Sequence, residues 1–140
     1  MSETPTQKKR FQTHTRPRFS DFDLQGVLNS RQYMDFVGEA RFDQMGRCYG
    51  KPISEYTAQN LTFIVSEFHI KYLRPITFGM EFLVETEVVE IDGSKITIDF
   101  EFKSIDAKKT HASGQVFYHL FDIVGRRPTP VSDEDKQRFL

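Results

Sequence analysis

The residues with the clearest chemical potential in this sequence are two aspartates, Asp21 and Asp23, in the polar stretch 20–30 (SDFDLQGVLNS). That stretch runs straight into an apolar pattern with helical spacing. A carboxylate just ahead of a helix start can do one of two jobs. It can attack a carbonyl or activate a water, while the helix's unpaired first N–H groups and its dipole polarise the substrate oxygen. Or it can accept bonds from nearby backbone N–H groups and simply build the loop. For Asp21 a turn or capping role is the preferred reading; for Asp23 the residue types leave both roles open. Glu39, further along the same pattern, is a possible second carboxylate, although a mid-helix Glu more often pairs with a base or faces solvent.

The remaining candidates are weaker. His69 shares a strand face with Glu67 and Lys71, and His14, His111 and His119 are scattered. No His, Cys, Asp or Glu set has metal-ligand spacing, so no metal and no cofactor is expected. Cys48 has no base beside it in sequence, and no Gly-rich phosphate loop is present.

The elements that must position these groups follow from periodicity. Residues 11–19 alternate as a strand, with Pro17 marking an edge or bulge. A helix is expected over 31–45, capped by Asn29 or Ser30 and stopped by Gly46. Tyr33, Phe36, Val37 and Ala40 make its core face, and Met34, Phe42 and Met45 widen the apolar surface, as in a helix wrapped by other structure. After a loop at 47–59, strands are expected over 61–73, 82–91, a run through Ile96, Ile98, Phe100 and Phe102, and 112–123. Asp92-Gly93 is the expected hairpin centre. Ser132 is placed to cap a short C-terminal helix. One helix and a set of antiparallel strands give an α+β domain in which the sheet curls round the helix. Outward Phe and Val on the sheet call for a partner subunit.

Composition agrees. The 140 residues fit one domain, read as a polar tail at 1–10, a domain at 11–131 and a tail or short helix at 132–140. The formal net charge of -1 gives no reason to expect nucleic acid as a partner. There is no apolar run of about 18 residues for a membrane span and no signal-peptide pattern, and the single Cys excludes an internal disulfide, so a cytoplasmic location is expected.

The segment carrying Asp21, Asp23, Gly26 and Tyr33, followed by Glu39-Ala40-Arg41, resembles the hotdog-fold acyl-CoA thioesterases of the 4-hydroxybenzoyl-CoA thioesterase type. Tyr72-Leu73-Arg74-Pro75 with Gly79, and Gly125-Arg126-Arg127-Pro128, match later motifs of that family in order, so the resemblance spans about residues 11–131. It implies a hotdog fold and hydrolysis of an acyl-CoA thioester to free acid and CoA, with Asp23 as nucleophile or general base. It also implies oxyanion or positioning roles for Gly26, Asn29, Ser30 (through its backbone N–H) and Tyr33, and assembly as a homodimer or homotetramer. Arg74, Lys108, Lys109 and Arg126 are candidates for the CoA phosphates. The sequence departs from its relatives at the positions where some carry a His, which here are Val27 and Ser30. That departure motivates a second reading, a non-catalytic module binding acyl-CoA or acyl carrier protein. A dehydratase ranks last, because the usual helix-segment His is missing.

Overall fold

The computed structural model describes residues 9–140, so the polar tail expected at 1–10 lies almost wholly outside the described residues. Strand β1 (Arg10–Thr15) is shorter than the alternation implied: it stops before Pro17, and Phe19 sits instead in a 3-10 turn, Phe19–Asp21. Proline has no N–H for the ladder, and this one ends the pairing. A second 3-10 turn, Ser30–Gln32, opens the helix α1 (Tyr33–Arg47). Asn29 caps it, its side-chain oxygen accepting from the Arg31 N–H at 3.1 Å. Gly46 does not stop the helix. The Cys48 N–H still donates to the Gln44 carbonyl at 2.8 Å, and the chain turns only at Gly50, with φ +76°. The expected loop at 47–59 contains a short helix, α2 (Ile53–Thr57).

Four long strands follow: β2 (Leu61–Tyr72), β3 (Phe82–Asp92), β4 (Lys95–Lys103) and β5 (Thr110–Asp122). A two-residue strand β6 (Arg127–Pro128) and the helix α3 (Asp133–Phe139) end the chain. The β3–β4 turn is centred one residue later than expected. Asp92 pairs with Lys95, so Gly93 and Ser94 are the central residues, and only Gly93 has positive φ (+60°). That is the Gly-first hairpin solution, not the one with two left-handed residues. All pairings are antiparallel, in the order β1-β3-β4-β5-β2, with β6 on β5.

This sheet curls round α1 in the hotdog arrangement. The helix inserts Phe36, Val37 and Ala40 against inward residues such as Phe82, Val84, Phe100, Phe102 and Val116, all buried. Toward the C-terminal end of α1 lies a polar link. Gln44, fully buried, donates to Thr13 Oγ1 at 3.0 Å and accepts from the Thr86 hydroxyl, which Arg41 also reaches at 3.0 Å. Arg41 stacks over Tyr49, 5.2 Å from its ring centre. Within this link each buried polar side chain finds an answering one, which burial demands.

Two apolar surfaces differ from expectation. Met34 and Phe42 are exposed, so within one chain α1 is not wrapped on every side. The convex sheet face carries Phe117 and Ile64 but is crossed by charges. There Arg10 pairs with Glu85, Glu87 and Glu101, Lys103 reaches Glu85 at 3.2 Å, and Lys95 lies 4.6 Å over the Phe117 ring. Burial raises the Glu85 pKa, but the bonds from Gln12, Arg10 and Lys103 outweigh it and hold the carboxyl below its usual range.

Candidate functional site at the start of the central helix

The segment between the two 3-10 turns folds back as a small hairpin. Phe22 bridges Leu28, the Asp23 N–H donates to the Val27 carbonyl at 2.9 Å, and Gly26 (φ +78°) makes the reversal. A left-handed residue there is tolerated because Gly has no Cβ. The hairpin is tied to the chain after β2: Leu28 N–H to Ile76 carbonyl and Phe78 N–H to Gly26 carbonyl, both 2.8 Å. Asp21 is buried, and its Oδ2 accepts from the Arg18 N–H at 2.7 Å, the turn role expected of it.

Asp23 is exposed on this hairpin. Its Oδ1 accepts from the Gln25 N–H at 2.8 Å and the Val27 N–H at 3.4 Å, so one carboxylate oxygen builds the loop. Beyond the hairpin, at the start of α1, lies a cleft of about 270 Å³. Val27, Ser30, Tyr33, Tyr72 and Arg74 line it; Asp23 is not among its walls but shares a hairpin with Val27. At this end of the helix Asn29 takes the amide of Arg31 with its side chain and that of Gln32 with its carbonyl, at 2.9 Å. The cap does not use the amide of Ser30.

Tyr33 is buried edge-on to Tyr72, ring centres 5.0 Å apart. Burial, with the Tyr72 hydroxyl nearby, pushes its phenol up to about 12, so it stays a neutral donor at ordinary pH. The Tyr72 hydroxyl itself donates to the Ser30 carbonyl at 3.0 Å and fixes the strand end to the helix start. The structure thus gives Tyr72 a place that sequence pattern alone did not. The only signal for it was its membership in the Tyr-Leu-Arg-Pro run, from which Arg74 alone was singled out.

Glu39 lies elsewhere. It is exposed on α1 and lines a wider groove with Asp21, Asp35, Phe36, Gly38 and Val65. The basic candidates divide. Arg74 lines the cleft, and the Arg74 N–H donates to the His111 carbonyl at 2.9 Å, at the start of β5. Lys108 and Lys109 sit in the β4–β5 turn, next to that same end of β5. Arg126 follows the other end of β5, where Asp122 pairs with Leu61, so one chain does not bring it near Arg74. Among the described residues no group of His, Cys, Asp and Glu is arranged to hold a metal, and no helix is long and apolar enough to cross a membrane.

Known proteins match this architecture closely. The family model described as the thioesterase-like superfamily matches residues 17–139. No curated protein matches the chain in sequence. Among solved structures, the DHNA-CoA thioesterase of Staphylococcus aureus superposes with a TM-score of 0.82 at 16% identity, over 91% of this chain and 86% of that one. The probable thioesterase YbaW of Escherichia coli gives 0.78 at 19% identity, over 91% and 94%. A thioesterase from Thermus thermophilus, complexed with coenzyme A and Zn, gives 0.76 at 22% identity, over 94% and 92%.

Proposed function

Because this chain belongs to the thioesterase-like superfamily, we propose that it hydrolyses an acyl-CoA thioester to free acid and CoA at the cleft where α1 begins. The observation that carries the proposal is the cleft itself. Its wall contains Ser30, whose amide the helix cap leaves unused, and its edge is the hairpin bearing Asp23. A thioester carbonyl at this helix end meets fixed N–H dipoles, which stabilise negative charge as the tetrahedral intermediate forms. Asp23 supplies the attacking oxygen, or the base for a water, through the oxygen that its own hairpin leaves free. Gly26 shapes the hairpin, Asn29 holds the helix start, and Tyr33 donates from the cleft wall. Arg74, with Lys108 and Lys109, offers positive charge for the CoA phosphates, and the CoA-bound neighbour supports that ligand. The enzyme acts in the cytoplasm.

A second copy of the chain completes the assembly. β2 ends the sheet, is 12 residues long, and exposes Ile64 and Val65. Antiparallel pairing of two such edges sets the β2 start of one copy beside the β2 end of the other. Arg126 of one copy is thereby carried toward Arg74 of the next. Homodimer or homotetramer assembly is the corresponding proposal.

The decisive experiment is thiol release from short, long and aryl acyl-CoAs, with the wild type and Asp23→Asn. The amide oxygen of Asn still accepts from Gln25 and Val27, so the hairpin is kept while the base is lost. Turnover is expected to fall by about 10²–10⁴-fold. Undiminished turnover in Asp23→Asn removes the assigned role. A second reading draws on the loop-building bonds of Asp23 and on Val27 and Ser30 in place of His: a module that binds acyl-CoA or acyl carrier protein without cleaving it. Saturable binding with no thiol release from any acyl-CoA selects that one.

A further inference from the structure

Tyr72 ends β2, opposite Ala112 of β5. The chain beyond it is pinned at once: the Leu73 and Arg74 N–H groups both donate to the His111 carbonyl, at 2.8 and 2.9 Å. Its ring is held edge-on by Tyr33, which in turn packs on Phe102 with ring centres 4.9 Å apart. Backbone and ring are therefore both fixed, and the hydroxyl leaves them in a set direction. Tyr72 is 53% exposed, so water is within reach of that hydroxyl. It donates instead to the Ser30 carbonyl.

Two peptide units meet at Ser30. The first, Asn29–Ser30, carries the Ser30 N–H that the cap leaves unused, and its carbonyl accepts from the Gln32 N–H at 2.9 Å. The second, Ser30–Arg31, is gripped on both edges. Asn29 Oδ1 takes its N–H at 3.1 Å, and the Tyr72 hydroxyl donates to its carbonyl at 3.0 Å. A peptide unit is planar and stiff, so two bonds on opposite edges settle its orientation. With both planes held, the direction of the Ser30 N–H is held too.

These bonds differ in reach. Asn29, Arg31 and Gln32 are neighbours in the chain, so their bonds shape the helix start without locating it against the sheet. Tyr72 is 42 positions from Ser30, and its bond does locate it. The Leu28–Ile76 bond does the same for the hairpin, two residues before the amide in question. An oxyanion donor works by being aimed beforehand at the point where charge develops. In thioester cleavage that point is the carbonyl oxygen. It gains negative charge as the carbon is attacked. It loses that charge when the C=O bond re-forms and the C–S bond breaks, releasing CoA as its thiolate.

We propose that Tyr72 is a positioning residue for thioester cleavage: its hydroxyl holds the Ser30–Arg31 peptide and so aims the free Ser30 N–H at the carbonyl oxygen in the cleft. The proposal rests on cleavage at the start of α1 for the reaction it serves. Tyr72 touches no reacting atom. Its effect falls on the charged tetrahedral state more than on the bound thioester, whose carbonyl oxygen carries little charge and gains little from a well-aimed donor. Loss of the hydroxyl is therefore expected to appear in kcat and not in KM. Removing an oxyanion donor outright costs about 10²–10³-fold in kcat, and loosening one is expected to cost about tenfold to thirtyfold.

The test is Tyr72→Phe, which keeps the ring against Tyr33 and deletes the hydroxyl. kcat and KM are measured on the acyl-CoA that the wild type cleaves best, with the thermal midpoint alongside. Calorimetry then compares two CoA ligands of equal chain length. One is an S-alkyl thioether, which has no carbonyl; the other is a trifluoromethyl ketone, whose hydrate mimics the tetrahedral state. Tyr72→Phe is expected to lower kcat by about tenfold to thirtyfold, to leave KM within about twofold, and to leave the midpoint in place. The ketone is expected to lose about tenfold in affinity and the thioether none. Unchanged kcat and unchanged ketone affinity overturn the positioning role while hydrolysis stands. So does a loss shared by both ligands, with kcat, KM and midpoint all worse, because that is general damage to the fold. If no acyl-CoA is cleaved, the hydrolytic reading falls and the two ligands decide alone. A wild-type preference for the ketone that Tyr72→Phe loses supports the aimed amide; a preference that both proteins keep, or that both lack, overturns it.

Discussion

His111 is buried at the start of β5, and neither of its ring nitrogens has a hydrogen-bond partner. Burial lowers its pKa below 6.5. The Arg74 main chain opposes this in part, and the charges of Arg74 and Lys109 add to the lowering. The folded ring therefore stays neutral in a range where the unfolded ring takes a proton. The unfolded state then binds more protons, so stability rises with pH in that window. It is constant above about 6.5 and declines as the pH falls toward the folded pKa. His111→Phe keeps the ring's bulk and removes two unanswered polar atoms, which cost about 1 kcal/mol or more when left unpaired. The variant is expected to match or exceed wild-type stability at pH 7 and to lose part of the decline between pH 6.5 and 5, measured by urea unfolding at several pH values. A wild-type-like pH profile in the variant counts against a buried neutral imidazole. The helix-start site is unevenly legible at this scale. Asn29 could be read as a cap because its partners are its sequence neighbours. Tyr72 could not be placed against Ser30 from local pattern, because only the fold brings residues 42 positions apart into contact.

At the scale of elements, two glycines separate two physical demands. A Cβ at Gly114 would lie 1.9 Å from the His69 carbonyl oxygen and 2.8 Å from the Phe100 ring, so any side chain there drives β5 away from β2. Gly114→Val is expected to lower unfolding free energy by about 3 kcal/mol, the upper end of overpacking costs, with a matching drop in denaturation midpoint. Gly26 has open space around it but φ +78°, so Gly26→Ala is expected to cost only about 1–2 kcal/mol, through the backbone alone. If both substitutions prove equally mild, the close β2–β5 approach is wrong. Strands and the long helix were legible because alternation and helical spacing persist over many residues. Shorter features were not. α2 is five residues long, too brief to show a period, and the β3–β4 turn was misplaced by one residue because Asp92-Gly93 and Gly93-Ser94 both suit a tight turn. Gly46 looked like a helix stop, yet only Gly50 adopts the left-handed conformation that ends such a segment.

At the scale of the whole molecule, the open question posed by the sequence was where the surplus apolar surface goes. The expected outward apolar residues are found in part, Phe117 among them, but the ion pairs of Arg10 and Lys103 with three glutamates take up much of that face. Pattern shows that a residue faces outward, but which outward residues answer one another depends on cross-strand register. Further exposed apolar surface lies along β2 and the open side of α1, at Ile64, Val65, Met34 and Phe42. A 12-residue edge strand without proline is a template for pairing, and natural proteins seldom leave one bare. At the other edge, β1 has six residues and is followed by Pro17, so it is the poorer template. Self-association through β2 is therefore expected, with a Tm that rises with protein concentration. Val65→Lys places a like charge near the middle of that strand in both copies, where an antiparallel pairing brings them close. It is expected to yield monomers in sedimentation equilibrium, abolish the concentration dependence of Tm, and reduce thiol release if the cleft needs the second copy. A variant that stays dimeric would move the interface to another surface, and Met34 and Phe42 on α1 would be the next residues to charge.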